Sequence, residues 1–80
     1  MIHFLTLNIL DREVVLKRIG EMDNRWQSDD DVFAADVVRR SWSVRCQFGP
    51  VQAAGWGSSI ESATQDLDQK LRQLREWLNG

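Results

Sequence analysis

Apolar positions from Ile60 onward recur at Ala63, Leu67, Leu71, Leu74 and Leu78. Steps of three and four residues place them on one helical face. Ser58 followed by Glu61 has the spacing of a capping box, Asp66–Lys70 and Asp68–Arg72 are acid-before-base pairs four apart, and Asn79-Gly80 suits a C-terminal stop. The spacing predicts a helix over 59–78. Val15, Ile19, Met22 and Trp26 repeat the same steps behind Asp11, a candidate N-cap, with Leu10 placed to staple onto Val15. They predict an earlier helix over 12–26, with Gly20 inside it at a cost of roughly 1 kcal/mol relative to alanine.

Between these segments the period changes to two. Trp42, Val44, Cys46 and Phe48 alternate with Ser43, Arg45 and Gln47, the mark of a half-buried strand. A turn at Arg40-Ser41 sets Phe33 opposite Phe48, Ala35 opposite Cys46 and Val37 opposite Val44. On the other face it sets Asp36 opposite Arg45, a pair of opposite charge. A second turn at Gly49-Pro50 sets Val51, Ala53 and Gly55 opposite Phe48, Cys46 and Val44. One apolar face then runs across strands at 33–39, 42–48 and 51–56. Residues 2–7 read either as a further edge strand, the preferred reading, or as an extension of the first helix. The expected fold is one α+β domain over residues 1–80: an antiparallel three- to four-stranded sheet with two helices packed on one face, in α-β-β-β-α order.

The segment Gly55-Trp56-Gly57-Ser58-Ser59-Ile60-Glu61-Ser62-Ala63, together with that element order, resembles the double-stranded-RNA-binding domain. In that family a glycine-x-glycine turn leads into the last helix, and Gly55, Gly57, Ser59 and Ala63 match its spacing. Ile60 and Glu61 stand where the family has the lysine pair that grips phosphate. The resemblance therefore implies a fold without implying RNA binding, since Glu61 repels phosphate. The same turn is similar to that of HicB-like antitoxins and of small phage proteins.

Composition narrows the chemistry. The chain of 80 residues is 42% hydrophobic and 28% charged, an ordinary globular balance. No apolar run approaches the ~18 residues of a membrane helix, and Met1 to Leu10 lacks the basic start and small-residue cleavage site of a signal peptide. The single Cys46 forms no internal disulfide and points to a reducing, cytoplasmic setting. With one histidine and no tyrosine, general acid–base candidates are few. A net charge of −2 gives no global attraction to nucleic acid. The charge is uneven, at −3 over residues 10–31 and +2 over 32–60.

Individual residues sharpen this reading. Cys46 alternates with core positions and reads as a structural thiol. Asp29-Asp30-Asp31 lacks the alternating ligands, glycine and distal glutamate of a calcium loop. Ser58 and Ser59 at a helix start are explained by capping, and His3 reads as an edge or surface residue. Neither catalytic residues, nor a metal site, nor a cofactor is expected.

Alternation places Val38, Ser43, Arg45, Gln47, Gln52, Ala54 and Trp56 opposite the helices. A tryptophan beside arginine on an open sheet face has the composition of a protein-binding hot spot. The competing account has residues 1–9 or a second copy of the chain covering Trp56.

The expected function is a non-catalytic protein-binding module acting through Val38, Arg39, Arg40, Arg45, Gln47 and Trp56. It resembles the small phage or mobile-element inhibitors of host systems, among them anti-CRISPR proteins. Two alternatives stand beside it. One is a nucleic-acid-binding module of the double-stranded-RNA-binding type, or an antitoxin-like partner protein. The other is an acidic surface of Glu21, Asp23, Asp29, Asp30 and Asp31 that imitates a nucleic-acid backbone.

Overall fold

The computed structural model describes residues 3–20 and 24–79. Six strands follow one another and each pairs antiparallel with the next: β1 (Phe4–Ile9), β2 (Arg12–Arg18), β3 (Arg25–Ser28), β4 (Phe33–Val38), β5 (Ser41–Phe48) and β6 (Val51–Gly57). The sheet curls into a half-barrel. The one helix among the described residues, α1 (Ile60–Asn79), packs into its hollow against β6, β5 and β1.

This corrects the expected architecture. Among the described residues there are six strands instead of three or four, and one helix instead of two. The segment predicted as a helix over 12–26 forms β2 and β3. Its side chains satisfy both periods at once. As a strand, β2 turns Val14 and Leu16 inward, and Leu16 is wholly buried between Leu5 of β1 and Ser28 of β3. The helical stripe would have used Val15 and Ile19, which are instead exposed on the outer face. Adjacent β-branched residues (Val14, Val15) favour this outcome. Gly20, at φ +77°, takes a left-handed conformation that no helix interior uses. Met22 lies outside the described residues. Residues 4–9 form the edge strand that the preferred reading assigned to the N-terminus.

Two hairpins turn without glycine or asparagine at their left-handed positions. Leu10-Asp11 (φ 53° and 62°) and Arg39-Arg40 (φ 51° and 67°) both occupy the left-handed region, as a type I′ turn requires. The β4–β5 turn is thus Arg39-Arg40 instead of Arg40-Ser41, so Phe33 faces Cys46, Ala35 faces Val44 and Val37 faces Trp42. The shift of two positions leaves every side chain on its expected face. The β5–β6 register, with Gly49-Pro50 in the turn, is the expected one.

The core is Leu7, Ile9, Leu16, Ala35, Val44, Cys46, Ala63, Leu67 and Leu71. The helix reaches it because β6 carries glycine at the crossing. A Cβ on Gly55 would stand 2.2 Å from the Ala63 carbonyl oxygen and 2.4 Å from the Leu67 nitrogen, and one on Gly57 would stand 2.2 Å from Ser62 Oγ. The Gly-x-Gly segment is therefore a seat for the helix. Its cap is Ser59 with Ser62, not Ser58 with Glu61: Ser62 N–H donates to Ser59 Oγ (3.1 Å) and Ser59 N–H to Ser62 Oγ (3.2 Å).

Polar clamps fix the helix at both edges of the sheet. Asp66 accepts from the Trp56 N–H (3.0 Å), and Lys70 donates to the Ala54 carbonyl (2.8 Å). At the other edge Asp68 accepts from the Leu10 N–H (2.6 Å), and Arg72 pairs with both Asp68 and Asp11. Beyond Arg72 the helix outruns the sheet. Leu78, expected in the core stripe, is 66% exposed there beside Trp77 at 78%. No helix among the described residues is long and apolar enough to cross a membrane.

Candidate interaction surface

The outer face of β4, β5 and β6 gathers most of the residues singled out from the sequence. Cross-strand pairing gives three rows on β5 and β6: Ser43–Trp56, Arg45–Ala54 and Gln47–Gln52. On β4, Asp36 stands beside Ser43 and Ala34 beside Arg45. Val38 ends β4 and is 53% exposed, and Arg39 and Arg40 extend from the turn that follows.

Trp56 is the largest side chain on this face and is 53% exposed. Its neighbour Ser43 is 1% exposed although it points away from the core. The cross-strand partners of Ser43 on that face are Asp36 and Trp56. The backbone of Trp56 is held by the bond from its N–H to Asp66. That bond first, and the Lys70 ammonium second, hold the Asp66 carboxyl below its usual range.

Arg45 is the second anchor. Its guanidinium pairs with Asp36 at 3.2 Å, diagonally across the β4–β5 ladder instead of directly opposite as expected, and it remains more than half exposed. Ala34 and Ala54 on either side are too short to fill the space beside it. Together with Gln47, Gln52 and Asp31 they leave an open depression of about 420 Å³. It presents a guanidinium, two primary amides and the Asp31 carboxylate over a floor of methyl groups. These groups can donate hydrogen bonds to peptide carbonyls and accept them from peptide N–H groups, and the methyls can meet apolar side chains.

The structure describes part of the acidic segment. Glu21 and Asp23 lie outside the described residues. Asp29, Asp30 and Asp31 occupy the β3–β4 loop, where two of the three organise the turn. Asp30 accepts from the Ser28 hydroxyl (2.6 Å) and the Val32 N–H (3.1 Å), in that order the causes that lower its pKa. Asp31 accepts from the Gln27 amide.

Cys46 is buried at 4% exposure, and desolvation pushes its thiol pKa up, away from the reactive thiolate. His3 is exposed at the sheet edge. Among the described residues no three His, Cys, Asp or Glu side chains converge on a metal position.

Sequence reasoning missed one feature, the open upper end of the half-barrel. Ile9, Leu10, Val14, Phe33 and Phe48 line a cavity of about 350 Å³ with Asp29 and Asp30 at its rim. Phe33 and Phe48 meet edge to face, with centroids 5.6 Å apart. The alternation of Val14 and Leu16 was the available signal, hidden by the helical reading of the same segment. No protein-family model matches the chain, and no curated protein or solved structure matches it.

Proposed function

We propose that the chain is a non-catalytic protein-binding module of the cytoplasm whose contact surface is the outer face of β4, β5 and β6. The observation that carries this reading is a half-exposed tryptophan, Trp56, on a strand clamped by the helix, one row from an arginine held in place by Asp36. Aromatic and arginine side chains dominate interface energetics. Anchors fixed before binding lose less entropy when a partner arrives. Val38 adds apolar area two strands away, and Arg39 and Arg40 add positive charge at the rim, so the matching partner surface is acidic with an apolar centre. An inhibitory role, in which this face occludes a partner's own working surface, needs no chemistry from the chain itself.

Duplex RNA is the weaker alternative. Glu61 occupies the first turn of α1 and the whole chain carries −2, against three arginines of which one is paired. The test joins two measurements on Trp56→Ala/Arg45→Ala: partner capture from a bacterial lysate and thermal unfolding. The reading expects loss of a captured protein with little change in melting temperature. Retained binding by a folded double variant, or tight binding of duplex RNA by the wild type at physiological salt, overturns it.

A further inference from the structure

The two edges of the sheet are treated differently. Along β6 the outward-facing backbone groups belong to Gln52, Ala54 and Trp56, because Phe48–Val51 closes a two-residue turn and bonded pairs then alternate. The helix covers two of these positions: Lys70 donates to the Ala54 carbonyl and Asp66 accepts from the Trp56 N–H, the two side chains being paired at 3.0 Å. That edge cannot accept another strand without breaking an ion pair and two hydrogen bonds.

Along β1 the same alternation runs from Ile9–Arg12 down to the bond from the Arg18 N–H to the His3 carbonyl (3.1 Å). The N–H and C=O groups of Phe4, Thr6 and Asn8 therefore point outward. Among the described residues, hydrogen bonds from the helix reach this side only at the turn beyond them, at Leu10 and Asp11. Proteins ordinarily blunt an open edge with charge, proline or a bulge. The strand Phe4-Leu5-Thr6-Leu7-Asn8-Ile9 has no charged residue, no proline and an unbroken register with β2. Beside it on the outer face stand two uncovered apolar side chains, Phe4 at 61% exposure and Val15, the cross-strand neighbour of Thr6, at 49%.

We infer that β1 pairs antiparallel with β1 of a second copy of this chain, joining the two half-barrels into one continuous sheet about a two-fold axis. An axis through Thr6 sets Thr6 opposite the partner's Thr6, Phe4 opposite the partner's Asn8 and Leu5 opposite the partner's Leu7. The outward N–H and C=O groups of Phe4, Thr6 and Asn8 then all find partners. No like charges oppose one another, and each Phe4 ring lies over a short polar neighbour with the partner's Thr6 diagonal to it, within aromatic reach. The closed β6 edge limits assembly to two copies, because no head-to-tail addition is open. This pairing is independent of the β4–β6 contact face, which lies at the opposite side of the sheet.

The test is sedimentation over roughly 10 μM to 1 mM, the range in which a small interface associates. The wild type is expected to pass from 9.3 kDa toward twice that mass. Thr6→Pro removes an outward N–H that takes no part in the β1–β2 ladder and should hold the chain at monomer mass with unchanged circular dichroism. Thr6→Lys, which alters only an exposed side chain, places like charges opposite each other and should do the same even if the proline variant folds poorly. A wild type that stays at monomer mass throughout overturns the inference. So does a dimer that persists in Thr6→Lys, because its interface then lies elsewhere, the exposed Trp77–Leu78 helix end or the Trp56 face being the alternatives.

Discussion

Gly55→Ala is the substitution that probes the fold most sharply, because the sign of its effect is in question. Gly55 has no left-handed backbone to protect. Where space allows, glycine to alanine at such a site stabilises by about 0.4–1 kcal/mol through the unfolded chain. Here the added carbon would meet backbone on two sides, at 2.2 Å from the Ala63 oxygen and 2.4 Å from the Leu67 nitrogen. Neither atom belongs to a side chain that could rotate away, so α1 must lift by roughly 1 Å or more, over the stretch where Ala63 and Leu67 are wholly buried. Overpacking of well-filled cores costs about 1–3 kcal/mol, and backbone against backbone belongs at or above the upper end. For a domain of this size about 3 kcal/mol corresponds to a fall in melting temperature of roughly 12–24 °C. Thermal unfolding followed by circular dichroism reads this directly. Gly20→Ala is the control: its φ is +77° and nothing lies within 4 Å, so backbone strain alone should lower its stability, by only about 1–2 kcal/mol. A Gly55→Ala protein as stable as the wild type would refute the seating of the helix on β6.

Other outcomes follow from the same geometry. Replacing Arg39-Arg40 by Asn-Gly, the pair a type I′ turn favours, should raise stability by about 1–2 kcal/mol, measured by denaturant titration; a loss would mean that the arginines contribute contacts of their own. Asp66, Asp68 and Asp30 all have lowered pKa values, caused chiefly by the Trp56 N–H, the Arg72 guanidinium and the Ser28 hydroxyl respectively. Because their folded pKa values lie below the unfolded ones, their contribution is present above the ordinary aspartate value of about 3.9 and lost as pH falls through that value toward the folded pKa. Melting temperature should drop between about pH 5 and pH 3, and Asp68→Asn should be less stable at neutral pH with a flatter acid limb. Cys46 should resist a thiol reagent in the native protein and react once denaturant is added; rapid native labelling would contradict its place in the core.

The legible parts of the fold were those where one period fits and the other fails. α1 could be read within a residue at each end because its stripe at three and four residues has no alternating counterpart. The three-strand meander was legible because Trp42, Val44, Cys46 and Phe48 alternate too strictly for a helix, and the Trp56–Arg45 face came with it. An error of two positions at the first turn did no harm there, whereas an error of one would have inverted the face. The β2–β3 hairpin was illegible because Val15, Ile19 and Trp26 satisfy helical spacing while Val14 and Leu16 satisfy strand spacing. Pairing with β1 across the Leu10-Asp11 turn, which carries no turn signal, decides between them. The turns at Leu10-Asp11 and Arg39-Arg40 hid themselves as well, since neither contains the glycine or asparagine that marks a left-handed turn. Missing β2 concealed the open end of the barrel, which exists only once six strands are counted.

The claim that the outer face of β4, β5 and β6 is the contact surface can be tested position by position with a photo-crosslinking amino acid. Gln47 and Gln52 are exposed on that face, and Gln65 and Gln69 are exposed on α1. All four are glutamines outside the core, so replacement leaves the fold intact and the four variants differ only in where they look. With a captured partner present, crosslinks are expected from positions 47 and 52 and none from 65 and 69. Crosslinks from the helix with silence from the sheet would contradict the account.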